Sequence, residues 1–562
     1  MRRSNSASNL ALALIAFTVL AIIGSALAEC DQPLGPTPGG TPAAKDERGR
    51  PYLDVAYSPE KAQLFERLVA EFNKQNPHYA VRATKLDVDE MLTQATAGRF
   101  AAISPDSAIW LGPLDQAWLA EGENRSPIVG SLSRYALSPV VIAAWQSEAQ
   151  KMGYPTKLVG WSDLAARATA DAAFRWSHPS TTTAAGLLTT TAEFYAAGGK
   201  TSRLTKEDLD NAKVQDYVRR VERTIQQYGG ESEDQVIARL LNQSERTIDA
   251  FVGQESLVVR FNRQTRGEKL VALYPREGTL WMDHPLVLLE GPWLNPDLRR
   301  AYLEFADFLR SAPMQRIVMQ EGYRPADLGI SLDDADSQIK PQNGVDPAQP
   351  QTLLQMPSYG VLDSIRNAWA LLKRPANIYL VADVSGSMEG DKIDKAREAF
   401  ISFVGQVRGT SDRLALATFA TVVQEQVPLG AIGDNRDRLT TTVNGIRVGG
   451  NTALYDAVYF AAEKLSRERQ TDRINAVLVM TDGMENASRN VRSGKDPQPL
   501  IDRLQALNRS TGVPVLVFTV AYGDDADFNG LQRVSAATRA QAYRGNPDTI
   551  RRLYQLLSAF FN

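Results

Sequence analysis

Cysteine is almost absent. Cys30 is the only one in 562 residues, so no disulfide can form within the chain. Histidine is nearly as scarce: His78, His178 and His284 are the full set. Histidine-rich metal sets and serine–histidine hydrolytic pairs therefore have little to draw on. Neither sign of charge predominates, since 62 Lys and Arg stand against 65 Asp and Glu, for a net charge of −3. No basic block occurs, which argues against nucleic-acid binding. Only one long apolar run is present, Leu10 to Ala28, so the remainder is expected to fold outside the membrane. No phosphate-binding loop and no nucleophile elbow is found. The chain is therefore expected not to be an enzyme.

What is present begins with that apolar run. It follows Met1-Arg-Arg and reads as an export signal. Ala26-Leu-Ala28 offers a small-x-small cleavage site, and the run is near the lower limit of length for an uncleaved anchor. Leu27-Ala-Glu-Cys30 is similar to a bacterial lipoprotein box, with Cys30 as the lipid-bearing residue, although Glu29 replaces the small residue usual there. Residues 1–30 are thus expected to be a signal or lipoprotein signal. Residues 31–51, rich in Pro and Gly, are expected to be a flexible tether.

Residues 52–330 alternate between strand and helix patterns, which implies α/β layers around a mainly parallel sheet. Strands are predicted at Leu53–Tyr57, Tyr79–Ala83, Ser107–Leu111, Arg134–Ala143, Ser256–Arg260, 271–278 and 285–289. Helices are predicted from Ser58-Pro59 to about Gln75, around 116–120, from Trp161, over Ala184–Ala196 and over Leu298–Arg310. The Tyr135-x-x-Ser-Pro-Val-Val-Ile-Ala143 run, the Tyr274-Pro-Arg-Glu-Gly278 turn and Gly322-Tyr-Arg-Pro325 resemble features of bacterial solute-binding proteins. That resemblance implies two lobes joined by extended crossovers, with a small ligand held between them and a hinge motion on closure. Ser58, Ser180 and Thr181 sit at helix starts, where free N–H groups favour an anion. Plain helix capping is the alternative for each. Trp110, Tyr135 and Trp281 are candidates to line the cleft, and His178, between Ser177 and Pro179, reads as a turn residue.

Residues 331–375 are polar up to Tyr359 and read as a linker. They end in a helix whose apolar residues Val361, Leu362, Ile365, Trp369 and Leu372 form a docking face. Residues 376–562 alternate again. The apolar run from Asn377 ends in Asp383-x-Ser385-x-Ser387. Gly449-Gly-Asn-Thr452 precedes a helix, and Thr481-Asp482-Gly483 closes the apolar run Ala476–Met480. Short oxygen donors on loops at the carboxyl ends of buried strands suit a hard divalent cation, and ligands of open α/β sheets bind at those ends.

In that order and context the three segments resemble the metal-ion-dependent adhesion site of von Willebrand factor A-like domains. The resemblance implies a doubly wound, Rossmann-like fold in which Ser385, Ser387 and Thr452 bind the ion directly, while Asp383 and Asp482 act directly or through water. It implies Mg2+, with Mn2+ or Ca2+ as alternatives, and an Asp or Glu of a protein partner completing the shell. The whole is then expected to be an exported binding or adhesion protein at the cell surface or in the periplasm. The alternative is a solute receptor of an ABC-type transport system, with the metal domain as a protein-docking arm.

Overall fold

The computed structural model describes residues 45–562 apart from 122–125, 227, 230–232, 243–247, 328, 408, 493, 560 and 562. The export segment, Cys30 and most of the expected tether lie outside the described residues.

A first five-stranded sheet runs in the order Ala80–Lys85, Tyr52–Tyr57, Ala102–Ser104, Pro285–Leu289, Val129–Arg134. Its first three strands are parallel, and Pro285–Leu289 runs antiparallel to its neighbours. The strands are joined by helices because the intervening segments carry apolar residues at helical spacing. In Ala62–Gln75, Leu64, Phe65, Leu68, Val69 and Phe72 form one buried face, opened by Pro59 in the preceding turn. Phe72 meets Phe305 of helix Pro296–Arg310 edge-on at 5.0 Å.

The chain enters a second lobe where Val129–Arg134 gives way at Tyr135 to Ala136–Trp145. This long strand is the spine of the second sheet. It pairs with Arg324–Pro325, Ala250–Gln254, Leu270–Leu273 and Trp281–Met282. The return to the first sheet runs from Trp281–Met282 to Pro285–Leu289. Extended crossovers between two lobes were expected, and they are present.

Two segments expected as strands are helical. Ser107–Leu111 holds a 3-10 turn, Ala108–Trp110, that leads into helix Leu111–Ala120. The strand lies just before it. The Ala108 N–H is taken by the Asp283 carboxylate at 2.8 Å, a capping partner from a distant part of the chain. Ser256–Arg260 lies inside helix Glu255–Gln264, and the strand is Ala250–Gln254. Val258 and Val259 favour strands locally, but the helix buries Leu257, Val258, Val259 and Phe261 together, so tertiary burial overrides propensity.

The segment from 331 to 358, expected as a linker, packs on the second lobe. Ile339, Val345 and Leu354 are buried, Asn262 donates to the Asn343 carbonyl at 2.9 Å, and Leu353 bridges to Thr279. Helix Tyr359–Leu372 then buries Val361, Leu362, Ile365, Trp369 and Leu372, the docking face expected. Each such side chain contributes about 1.5–3 kcal/mol gross.

The third sheet has six strands in the order Val423–Ala431, Arg413–Phe419, Ala376–Asp383, Ile474–Thr481, Val515–Tyr522, Ala542–Gly545. All neighbours are parallel except the edge strand Val423–Ala431. Ala376–Asp383 and Ile474–Thr481 are buried at every position. Such strands need helices on both faces. Strand order reverses between Ala376–Asp383 and Ile474–Thr481, because the chain first builds to one side and then to the other. A doubly wound sheet opens its ligand crevice at that switch point, outside the carboxyl ends of the two strands.

Candidate metal centre

The two central strands of the third sheet end at the switch point in Asp383 and in Thr481-Asp482. Asp383 is fully buried and Asp482 is 1% exposed. The Asp383 carboxylate accepts the Ser385 N–H at 2.8 Å and the Thr481 hydroxyl at 2.5 Å. The side chain thus ties both strand ends together and folds the Ser385 loop back over them. Ser385 Oγ is 3.1 Å from Ser387 Oγ, and the Ser387 hydroxyl donates to Asp482 Oδ1 at 2.7 Å.

Thr452 reaches the same place from the third loop. Gly449 donates to the Val384 carbonyl at 2.8 Å, and Gly386 donates to the Gly450 carbonyl at 3.1 Å. Gly450 has φ +89° and Gly449 φ +154°, backbone that glycine adopts without strain. A Cβ placed on Gly483 would lie 3.3 Å from Thr452 Oγ1 and 3.7 Å from Ser387 Oγ. The five residues expected from the sequence therefore converge on one cradle, and residue 483 must be small to keep it open.

The donor set fits a hard divalent cation: it is entirely oxygen, and three of the donors are neutral hydroxyls. The electrostatics also fit. Burial pushes the Asp383 carboxyl up to about 6; hydrogen bonds from Ser385 and Thr481 oppose the rise, and the nearby Asp482 charge adds to it. Lys392 is the ammonium at the site, 2.6 Å from Asp482 Oδ2. A buried carboxylate raised in this way gains from a cation placed beside it.

Several supporting residues were not expected from the sequence. Glu485 accepts the N–H groups of Tyr455, Ala487 and Ser488 at 2.9, 2.9 and 2.7 Å. Asp456 accepts those of Arg489, Asn490 and Val491. Thr452 N–H donates to Asn486 Oδ1 at 2.9 Å, and its carbonyl accepts from Asn486 N–H at 3.0 Å. These bonds weld the loop after Asp482 to helix Leu454–Arg467, which follows Thr452. The sequence signal for them was slight: acids and amides beside the motif, with no spacing rule to single them out.

The candidate cleft residues are less coherent. Ser58 is buried at the end of the first strand, and its hydroxyl has no protein partner. Ser180 and Thr181 lie in the second lobe before helix Ala184–Gly198. Ser180 is bonded within that loop to Thr182 and, through its N–H, to Gly229. Around Ser58 the chain's own polar groups bond to one another. Lys61 donates to Ser104 Oγ at 2.9 Å and to the Pro105 carbonyl at 2.5 Å, and burial lowers its pKa to about 7. Burial and the neighbouring Asp106 raise Glu60 to about 8. Arg260 and Tyr323 reach the Glu60 carbonyl at 3.4 and 3.2 Å.

Tyr135 is wholly buried against Ser104. Trp281 lines an open cavity of about 280 Å³ with Ala108, Ile109, Asp283, Leu354 and Leu362. Trp110 packs nearby under the Arg366 guanidinium, 5.3 Å from its ring centre. His178, expected as a turn residue, is fully buried beside Glu222.

Comparison with known proteins agrees with this division. The profile of the family described as "Bacterial extracellular solute-binding protein" matches residues 53–324, and that of "von Willebrand factor type A domain" matches residues 377–554. Among curated proteins, inter-alpha-trypsin inhibitor heavy chain H4 of Sus scrofa is 30% identical over 114 residues, covering 19% of this chain and 12% of that protein. The chain thus spans about an eighth of that relative's length. Among solved structures, a von Willebrand factor type A protein from Catenulispora acidiphila is 17% identical with a TM-score of 0.29, covering 33% of this chain and 43% of that one. A ferric binding protein from Campylobacter jejuni is 12% identical with a TM-score of 0.39, covering 56% and 96%. The chain joins a solute-binding-protein-like fold to a von Willebrand factor A domain with a Rossmann-like, mainly parallel sheet.

Proposed function

We propose that this is an exported binding protein whose C-terminal domain grips an acidic side chain of a protein partner through a divalent cation. The observation that carries the reading is the convergence of Asp383, Ser385, Ser387, Thr452 and Asp482 on one cradle at the switch point of the sheet. When bound there, Mg2+, Mn2+ or Ca2+ would supply an exposed positive centre able to accept a carboxylate. The chain's own residues set the polarity of the site. Asp383 and Asp482 form its buried floor, whereas Ser387, Gly450 and Asn451 are exposed at its rim. Two exposed apolar side chains flank the loops, Met484 at 51% and Val422 at 55%. Apolar groups beside a polar anchor suit a protein partner.

The solute-binding-like unit serves here as a platform. The amino ends of the central strands face it: Arg374, just before Ala376–Asp383, donates to the Ile225 carbonyl at 2.8 Å, and its N–H donates to Tyr228 Oη at 2.8 Å. The metal loops are at the opposite ends of those strands. The platform is proposed to present them away from the membrane, to which Cys30 or the N-terminal apolar segment would hold the protein. No catalytic step is assigned to either unit.

A transport receptor must open and close its lobes. Helix Tyr359–Leu372 works against that, because it touches the first lobe at Gly112 and Trp110 and the second at Glu222. The protein-binding reading is therefore preferred. It is tested by capture from an envelope extract with Mg2+ and with chelator, using wild type and Asp383→Ala. Capture should require both the ion and Asp383, and capture indifferent to both would reject the reading. Thermal shifts with pools of small metabolites test the alternative: a specific ligand of the 52–330 unit would restore the receptor function.

A further inference from the structure

A second cluster of metal-ligand side chains lies in the second lobe, far in sequence from the site above. His178 follows strand Trp176–Ser177, Glu193 is on helix Ala184–Gly198, and Glu222 ends helix Ala212–Glu222. All three are 0% exposed. One ligand atom from each lies within 4.8 Å of the others.

The hydrogen bonding at this cluster is incomplete in an informative way. His178 Nδ1 is 2.6 Å from the Pro179 carbonyl. A carbonyl only accepts, so Nδ1 carries the proton. In the neutral imidazole, Nε2 is then a lone pair, and it faces Glu222 Oε1 at 3.3 Å. Two acceptors at that distance need a cation or a proton between them. Both oxygens of Glu193 are buried without any donor. Leaving a carboxylate so exposed to a low-dielectric interior is costly.

Glu222, by contrast, is braced as a ligand would be. Its Oε1 accepts Trp369 Nε1–H at 2.6 Å, and its Oε2 accepts the Tyr228 hydroxyl at 2.8 Å. A histidine that donates its other N–H to a carbonyl, beside a carboxylate held by further donors, is the usual support of a bound metal.

We propose that His178, Glu193 and Glu222 bind a transition-series divalent cation, Zn2+ by ligand type, as a structural lock between the second lobe and helix Tyr359–Leu372. One imidazole and two carboxylates suit Zn2+ better than Mg2+. Tetrahedral ligands about 2.1 Å from a common ion stand about 3.4 Å apart, so ligand atoms that lie within 4.8 Å of one another close on the ion by up to about 1.4 Å. The lock acts through Glu222, because Trp369 of the helix and Tyr228, which receives the Arg374 N–H, both bond to that carboxylate.

The test uses the full chain carrying Asp383→Asn, so that the cradle at the strand ends does not contribute. Protein produced in zinc-supplemented medium and desalted should retain about one Zn2+ per chain by elemental analysis. Glu193→Gln and, separately, His178→Asn should lower that content about tenfold or more. A strong chelator should lower the melting temperature of the parent but not of Glu193→Gln. Protein grown with Co2+ should show a d–d absorption spectrum of nitrogen and oxygen ligation, a readout that needs no further variant. Absence of stoichiometric zinc would overturn the proposal, as would zinc undiminished by Glu193→Gln. A parent whose melting ignores the chelator would also overturn it and would leave a proton shared between the carboxyl groups.

Discussion

Replacing Asp383 by Asn separates the two roles of this carboxyl, ion ligand and buried charge. The group is fully buried, and its pKa stands at about 6 against 3.8 for the ordinary side chain. A difference of roughly two units corresponds to about 3 kcal/mol. Between about pH 4 and 6 the folded chain holds a proton that the unfolded chain has released, so metal-free stability falls as pH rises through that window. Asparagine keeps an oxygen for the Ser385 N–H, and its amide can donate to the Thr481 hydroxyl, which rotates to accept. It has no charge to bury. Metal-free Asp383→Asn should therefore be more stable than wild type at pH 8, by up to about 3 kcal/mol, and by about half that at pH 5. Mg2+ at a hundredfold excess over its Kd should stabilise wild type by about 2.7 kcal/mol and leave the variant unchanged. A chain of several units has no single unfolding free energy, so the assay is hydrogen exchange of peptides covering Ala376–Asp383 and Ile474–Thr481, at both pH values, with chelator and with Mg2+. Weaker protection of the metal-free variant at pH 8 would refute the electrostatic argument. Equal protection of both proteins by Mg2+ would refute the assignment of Asp383 to the ion.

Gly483→Val should weaken Mg2+ binding by roughly tenfold or more, about 1.4 kcal/mol, because its side chain would enter the space shared by Thr452 and Ser387; an unchanged calorimetric Kd would place the ion elsewhere. Lys392→Met should strengthen Mg2+ binding about tenfold by removing the ammonium that competes for Asp482. A weaker Kd would show that the lysine instead holds Asp482 in position. Trp369→Phe keeps one aromatic ring but loses the N–H to Glu222 and the volume of the second ring, and should lower exchange protection of helix Tyr359–Leu372 by about 2 kcal/mol or more. Unchanged protection would mean that the carboxylate does not anchor the helix.

The C-terminal domain was legible because its signals are local. Each central strand is an uninterrupted apolar run ended by its own functional residues, and each helix repeats its apolar positions at helical spacing. The register of Ala376–Asp383 between its neighbours then brings the distant loops to one edge. The solute-binding-like unit was less legible where a partner far along the chain decides the structure. Ser107–Leu111 is turned into a helix start by Asp283, and the segment before Tyr359 is drawn onto the second lobe by Asn262 and Thr279. His178 was misread for the same reason. Nothing within ten residues of it indicates Glu222 or Trp369, and a histidine between Ser and Pro is ordinarily a turn residue.

The two candidate ion sites lie toward opposite ends of one strand. Ala376–Asp383 is an eight-residue strand, about 26 Å long at ~3.3 Å per residue. At its amino end Arg374 and Trp369 fasten the chain to the second lobe, and at its carboxyl end Asp383 floors the cradle. Every position between is buried in the centre of the sheet, where packing leaves little freedom to bend. Such a strand fixes direction: anchoring its first residues on the platform sets where the loops at its far end point. That is the requirement for presenting a binding site to a partner. It differs from transmitting a signal, which would need an element with two arrangements that both ends bias. If the strand is only a strut, loosening its anchor with Trp369→Phe should leave the Kd for Mg2+ unchanged while lowering protection of helix Tyr359–Leu372. A Kd that moved with the anchor would replace the strut by a switch.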